Sequence, residues 1–254
     1  KSVSLPSNVT SIGVEAFANC ASLATVDFGS GIREIPENCF RSSGLTEITL
    51  PESVTTVGEW AFAGCVSLRS LTVCGPKTFD ESAFNIYKTT TDYINVYIDD
   101  LADWCERSTF ANQYSCPFVA GGNEGKLSSL YLNGELVENL VIPDGVVRVS
   151  DYSFYNCGSI KTVVVPDGVM AIGEYAFYCP EMTKVTLGNT VSIIGISAFY
   201  SGNLTEFICY NPVPPANSGL NYYDDFTVYV PAGSVEVYKS AEDWRYYNIK
   251  AIGD

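Results

Sequence analysis

Residues 5–28 read Leu5-Pro6-Ser7-Asn8-Val9-Thr10-Ser11-Ile12-Gly13-Val14-Glu15-Ala16-Phe17-Ala18-Asn19-Cys20-Ala21-Ser22-Leu23-Ala24-Thr25-Val26-Asp27-Phe28. The same frame returns as Leu50-Pro51-x-x-Val54-Thr55-x-Val57-Gly58-x-x-Ala61-Phe62-x-x-Cys65-x-x-Leu68-x-x-Leu71-x-Val73. A looser copy lies between them, through Ile35, Cys39-Phe40, Ser42, Leu45, Ile48 and Leu50. In the second half the frame passes through Phe154, Phe177 and Phe199, with strand pairs Val163/Val165, Val185/Leu187 and Phe207/Cys209. Six full copies are legible, three in each half, spaced 22 or 23 residues apart within a half. A fixed period of this kind means that each unit cannot bury its own apolar face and must stack on its neighbours.

A 22- to 23-residue period with an L-x-x-L-x-L segment falls in the range of leucine-rich repeats, each supplying one short strand. Alternate residues of a strand point to one side, so stacking places Val26, Ile48 and Leu71 in one buried column. Pro6, Pro51, Pro143 and Pro166 end strands by removing a donor, and Gly13, Gly58, Gly173 and Gly195 are expected to permit the turn that follows. The Ala-Phe-x-x-Cys stretch is too short for a long helix. Single helical or 3₁₀ turns are therefore expected on the convex side, with Phe wedged between strand and back wall. The expected architecture is a right-handed leucine-rich-repeat solenoid, with a parallel sheet on the concave face and two tandem arrays.

The first array is expected over residues 1–125. Its frame breaks after Cys74-Gly75-Pro76 into an irregular terminating segment, about 77–125, with no Ala-Phe-x-x-Cys unit. The second is expected over 126–254, opened by a hairpin at Asn133-Gly134 and closed by a Tyr/Trp-rich segment. Duplication is suggested by Ile94-Asn95-Val96-Tyr97-Ile98, with Trp104 after it, which lies beside Phe226-Thr227-Val228-Tyr229-Val230, with Tyr238 and Trp244 after it. Charge is shared evenly: residues 1–125 carry net −8 and 126–254 net −7. At the start, Val3-x-Leu5 has the spacing of a repeat strand, so the solenoid is expected to begin upstream of Lys1 or to be capped there.

The chain has 254 residues, a net charge of −15 and no histidine. Lack of imidazole removes Ser-His-Asp and Cys-His relays and the HExxH zinc site. With only 14 Lys and Arg against 29 acidic residues, phosphate backbones and anionic membranes are repelled, so neither nucleic-acid binding nor membrane insertion is expected. No signal segment precedes Lys1 in this sequence.

The nine cysteines contain no C-x-x-C pair. Cys20, Cys65, Cys157 and Cys179 fill one small-residue slot three residues before the first strand position, a slot given to Ser42 and Ser201 in other copies. Cys39 and Cys209 read as small core residues. Cys105 and Cys116 lie outside the frame, which leaves a disulfide between them open, and no residue set calls for a cofactor or metal. Asp99, Asp100, Asp103 and Glu106 read as the wet face of a short amphipathic helix; the pair Asp224 and Asp225 is the other carboxylate cluster, and neither has calcium-loop spacing. Tyr222, Tyr223, Tyr229, Tyr238, Tyr246 and Tyr247 crowd the C-terminal region, either closing the open end of the solenoid or forming a sugar-stacking patch.

The concave sheet is the expected binding site, because stacked strands make an extended rigid surface. Its outward residues would be Thr25 and Asp27, Glu47 and Thr49, Ser70 and Thr72, Thr162 and Val164, Lys184 and Thr186, Glu206 and Ile208. This is a Thr-rich strip with no aromatic row.

These strings resemble the BspA-type leucine-rich-repeat surface proteins of bacteria, whose repeat is similar to L-P-x-x-V-T-x-I-G-x-x-A-F-x-x-C-x-x-L-x-x-V. Val228-Tyr229-Val230-Pro231-Ala232-Gly233-Ser234 resembles their terminating segment, and Leu130-Tyr131-Leu132-Asn133-Gly134 a linker hairpin between their arrays. The resemblance implies a non-enzymatic binding protein, extracellular or at the cell surface, that adheres to a protein partner such as a host matrix or cell-surface protein. A carbohydrate-binding or substrate-recruiting accessory module and a structural spacer of a larger surface protein are the competing readings.

Overall fold

A computed structural model describes residues 1–86, 93–120, 127–217, 220 and 226–253. The chain divides into two compact units, Lys1–Val137 and Glu138–Asp254.

In the first unit, strands Glu47–Leu50, Ser70–Val73, Asn95–Ile98 and Ser129–Leu132 form a parallel sheet. Ser2–Ser4 and Thr25–Asp27 make a parallel pair of their own. Thr46 ties that pair to the sheet through its backbone N–H, which donates to the Ala24 carbonyl at 2.9 Å. Alternation works as the sequence requires: Ile48, Leu71, Val96 and Leu130 are in register and buried, and the residues between them face outward. The second unit repeats this with six parallel strands, Asn139–Val141, Thr162–Val165, Lys184–Leu187, Glu206–Cys209, Thr227–Val230 and Asn248–Ala251.

Most coils also contribute a two-residue strand that the sequence did not announce. Glu34–Ile35, Thr56–Val57, Thr78–Phe79 and Thr109–Phe110 form a second parallel ladder in the first unit. Arg148–Val149, Ala171–Ile172, Ile193–Ile194 and Ala216–Asn217 do so in the second.

The outer wall is not built from helical turns. In each of these coils the residue two before the core Phe adopts the left-handed conformation: Glu15, Asn38, Trp60, Ser82, Tyr152, Tyr175 and Ser197 have φ between 49° and 59°, and in four coils the residue two after it, Asn19, Ser42, Gly64 or Asn156, does so as well. This alternation turns backbone N–H groups along the stacking direction. Glu15, Phe17 and Asn19 thus donate to the carbonyls of Glu37, Cys39 and Arg41 in the next coil, at 3.3, 2.9 and 2.7 Å. A helix would have spent those donors internally. Each left-handed residue costs on the order of 1–2 kcal/mol, which a net gain of about 0.5–1.5 kcal/mol per coil-to-coil hydrogen bond offsets.

The repeat glycines serve a different purpose from the expected one. Gly58, Gly173 and Gly195 are not left-handed; a Cβ on any of them would run into the backbone of the preceding coil. They allow the coils to approach, and the turn is made two residues later.

Inside, the phenyl rings stack along each unit. Phe17, Phe40, Phe62 and Phe84 follow one another at 5.2, 5.5 and 5.2 Å, and Phe154, Phe177 and Phe199 at 5.3 and 5.2 Å. Phe84 shows that the frame continues beyond Pro76. Its coil lacks the Gly and the Cys but keeps the Phe spacing of 22 and the small strand Thr78–Phe79.

The hairpin at Asn133-Gly134 belongs to the first unit. Ser129–Leu132 pairs in parallel with Asn95–Ile98 and only then turns back onto Glu135–Leu136. It holds the place that Asn248–Ala251 holds beside Thr227–Val230 in the second unit. In both units a Trp-bearing segment joins the last two parallel strands. Trp104 on the helical turn Asp103–Arg107 is buried. So is Trp244, which follows the helix Val235–Ser240.

Candidate functional site

The outward residues of the long-stranded sheets form two rows per unit. In the first unit, Glu47, Ser70, Asn95 and Ser129 are in register, and so are Thr49, Thr72, Tyr97 and Tyr131. Thr25 and Asp27 stand on the adjoining strand pair, where the Asp27 carboxylate accepts from the Gly29 N–H and the Ser4 hydroxyl, both at 3.0 Å. Those two bonds, the first the larger effect, hold its carboxyl below the usual carboxylate range. In the second unit, Thr162, Lys184 and Glu206 share one row, and Val164, Thr186 and Ile208 the next.

The expected site residues therefore fall into two sets, six on the first unit and four on the second. The second set is largely satisfied by its own neighbours. Thr162 donates to Asn139 Oδ1 at 2.9 Å, Lys184 pairs with Glu206 at 2.9 Å, and Asn248 donates to Thr227 at 3.1 Å.

Four outward residues of the first unit escaped the sequence reading: Asn95, Tyr97, Ser129 and Tyr131. The alternation in Asn95-Val96-Tyr97-Ile98 was visible, but Leu130-Tyr131-Leu132 read as a linker. Tyr97 and Tyr131 stack at 4.7 Å and 24° from parallel, so the face does carry an aromatic pair at the end of the Thr49/Thr72 row.

The slot expected to hold Ser42 is filled by Ser43. Ser42 is exposed and left-handed, whereas Ser43 is buried with its hydroxyl 3.4 Å from Cys65 Sγ. Cys65 Sγ donates to the Phe40 carbonyl at 3.0 Å and Cys179 Sγ to the Phe154 carbonyl at 3.3 Å; Ser201 Oγ donates to the Met182 carbonyl at 2.7 Å. The slot wants a small donor aimed at a turn carbonyl. None of the nine cysteines is in a disulfide, Cys105 and Cys116 included. Burial pushes the Cys39 thiol up to about 12, against the opposing hydrogen bond from Phe17, and raises that of Cys105 further.

The carboxylates near Trp104 are engaged locally. Asp100 accepts from the Asp103 N–H at 2.9 Å, Asp103 pairs with Arg107 at 2.6 Å, and Asp99 accepts from the Gly75 N–H at 3.2 Å. Among the described residues no three His, Cys, Asp or Glu side chains gather as a metal site. No described helix is long and apolar enough to cross a membrane.

Tyr238, Trp244 and Tyr247 sit over the last coil of the second unit. Tyr238 donates to the Asn211 carbonyl at 2.8 Å, Trp244 to the Pro215 carbonyl at 2.8 Å and Tyr247 to the Leu220 carbonyl at 3.0 Å. Tyr229 faces outward from the sheet and Tyr246 is exposed. Tyr222, Tyr223, Asp224 and Asp225 lie outside the described residues.

Stacked 22- to 23-residue coils with a parallel front sheet and a Phe spine define a leucine-rich-repeat solenoid. A family model for the BspA type leucine rich repeat region matches residues 1–115 and 128–220 in 6 copies, and the chain belongs to that family. No curated protein matches it. Among solved structures it is similar to the pneumococcal vaccine antigen PcpA, at 16% identity over 98% of this chain and 78% of that one, with a TM-score of 0.38. It is also similar to a leucine-rich cell surface protein of Faecalibacterium prausnitzii A2-165, at 20% identity over 100% of this chain and 79% of that one, with a TM-score of 0.40. A leucine-rich-repeat protein of Bacteroides ovatus ATCC 8483 matches at 19% identity over 98% of this chain and 83% of that one, with a TM-score of 0.36.

Proposed function

We propose that the protein is a non-enzymatic binding module, displayed on or secreted from a bacterial cell, that adheres to a protein partner through its long-stranded sheets. The observation that carries this reading is the row Thr49, Thr72, Tyr97 and Tyr131, four outward side chains in register on hydrogen-bonded strands. Backbone pairing keeps such a row rigid, so little conformational entropy is lost on binding. Tyrosine supplies large contact area with a polar tip, which is why it is enriched at interface hot spots. Expected contacts extend to Thr25, Asp27, Glu47 and Ser70 on the same unit, and to Thr162, Lys184, Thr186 and Glu206 on the second.

The test is attachment of the full chain to surfaces coated with matrix proteins and to cultured host cells. Thr49→Arg, Thr72→Arg and Tyr97→Ala should each lower attachment at least tenfold while leaving thermal unfolding within a few degrees of the parent. Attachment that is unchanged in all three variants would remove the reading.

A further inference from the structure

The outer wall of the second unit carries a tyrosine array that the wall of the first does not. Where the first unit has Ala18, Arg41, Ala63 and Asn85, the second has Tyr155, Tyr178 and Tyr200; where it has Glu15, Asn38, Trp60 and Ser82, the second has Tyr152, Tyr175 and Ser197. Tyr155, Tyr178 and Tyr200 stack coil upon coil at 4.9 and 4.7 Å, and Tyr152 stacks on Tyr175 at 5.3 Å. The two columns meet edge to face through Tyr152 with Tyr155 and Tyr155 with Tyr175, at 5.9 and 6.1 Å. All five side chains are half-buried.

Three features narrow what such a surface can recognise. First, the ring faces are largely spent on one another, so the wall presents ring edges and hydroxyls to solvent; this disfavours sugar rings, which need an open aromatic face. Second, the hydroxyls of Tyr152, Tyr175, Tyr178 and Tyr200 make no hydrogen bond to any described residue. Burial pushes the phenols of Tyr152 and Tyr178 above their ordinary range, so they stay neutral and keep an acceptor lone pair. Third, the wall segments 150–157, 173–179 and 195–201 contain Asp151 and Glu174 but no lysine or arginine. Asp151 is engaged by Arg148 and by the Glu174 N–H, both at 2.9 Å, whereas the Glu174 side chain is exposed. The next coil adds exposed aliphatic side chains: Ile196, 46% exposed, whose carbonyl accepts from the Tyr175 N–H, and Ile193, 53% exposed. An aromatic surface with hydroxyl acceptors, aliphatic neighbours and the exposed Glu174 carboxylate, beside which the cation Arg148 is already held by Asp151, marks an interaction site.

We propose that this wall is a second binding surface, separate from the front sheets, and that its occupant is a cationic polypeptide segment whose arginine or lysine side chains donate to the phenol oxygens and to Glu174. Flat aromatic edges would take the aliphatic stems of those side chains, and the hydroxyl row would take their heads. The spacing of adjacent hydroxyl-bearing rings follows the coil repeat, so the segment would run along the stacking direction.

The experiment uses the full chain and a fluorescent peptide of alternating arginine and serine, followed by anisotropy at about 50 and about 300 mM salt. Saturable binding is expected, and a neutral glycine–serine peptide should not bind. The variant with Tyr152→Phe, Tyr175→Phe, Tyr178→Phe and Tyr200→Phe keeps every stacked ring and removes only the hydroxyls; it should weaken binding at least tenfold. Tyr178→Phe alone should weaken it several-fold, which keeps the test open if the fourfold variant folds poorly. Thr49→Gln with Thr72→Gln on the front sheet should leave peptide binding unchanged, so failure here is distinct from failure of the front-face reading. Absence of saturable binding, or equal binding by the phenylalanine variants, overturns the proposal; in the second case the attraction belongs to the net charge of −15 alone.

Discussion

Phe62 lies nearly parallel to Phe84, 5.2 Å from centroid to centroid and 14° from coplanar, although Phe84 sits in a coil that lacks both the repeat glycine and the repeat cysteine. Both rings are fully buried. Phe62 also stacks on Phe40, so removing it opens a void between three coils, whereas Phe84 stacks on Phe62 and meets Phe79 of its own coil at a tilt. Phe62→Ala and Phe84→Ala should each cost about 3–5 kcal/mol, the range for truncating a buried aromatic side chain. Equilibrium urea unfolding of the two variants checks this. A loss below about 1 kcal/mol for Phe84→Ala would mean that its coil does not share the spine.

What could be read in the sequence was set by side-chain chemistry, and what could not was set by backbone shape. The column Ile48, Leu71 and its partners was legible because burial demands apolar residues at a fixed alternation. The left-handed position was not, because Glu15, Asn38, Trp60, Ser82 and Tyr175 share a φ and no chemistry. The same reasoning explains the misplaced slot. Counting back three residues from Leu45 put Ser42 there, but this coil has one residue fewer between slot and strand than the coils of Cys20 and Cys65, so Ser43, three after Phe40 as Cys20 is after Phe17, becomes the inward residue. Of the front face, the Thr rows were legible in the regular repeats. Tyr97 and Tyr131 were not, because their strands lie in coils whose turns have diverged.

Cysteine reactivity should separate the coils. Cys20 is exposed in the first coil, while the equivalent Cys65, Cys157 and Cys179 are buried beneath a neighbour. Cys74 is half-buried, and burial followed by the Asp99 charge raises its thiol. Titration of the native chain with a chromogenic disulfide at about pH 8 should therefore show one fast thiol, since only the thiolate attacks. Cys20→Ser should abolish that phase and leave the others slow. Several fast thiols in the native chain would contradict the packing.

The glycine frame makes an internal comparison. A Cβ on Gly195 would lie 2.6 Å from the backbone nitrogen of Glu174, and one on Gly58 would lie 3.0 Å from that of Glu37; around Gly13, in the first coil, nothing lies within 4 Å. Backbone cannot swing aside as a side-chain tip can. Gly195→Ala should destabilise by about 1–3 kcal/mol through overpacking, whereas Gly13→Ala should stay within about 0.5 kcal/mol. Thermal unfolding of the pair measures the difference. Equal losses would indicate that the position is governed by chain flexibility and not by coil approach.

Stability should fall above pH 9. The buried thiols of Cys39, Cys105 and Cys209 and the Tyr238 phenol are all raised above their ordinary values by burial. Above pH 9.0, the ordinary thiol value, the unfolded chain releases protons that the folded chain still holds, so the unfolded state is favoured. For Cys39 the loss runs from there to about 12. Lys77 acts in the opposite sense. Its buried amine donates to the carbonyls of Cys74 and Gly75, and burial lowers its proton affinity below the ordinary 10.5. The folded chain therefore sheds that proton first, and stability gains as pH rises toward 10.5. Urea midpoints measured from about pH 8 upward should decline for the parent. Cys39→Ala, which installs the residue found at Ala16 and Ala61, should flatten the decline, and Lys77→Met should steepen it. An unchanged slope in Cys39→Ala would show that its thiol ionises alike in the folded and unfolded chain.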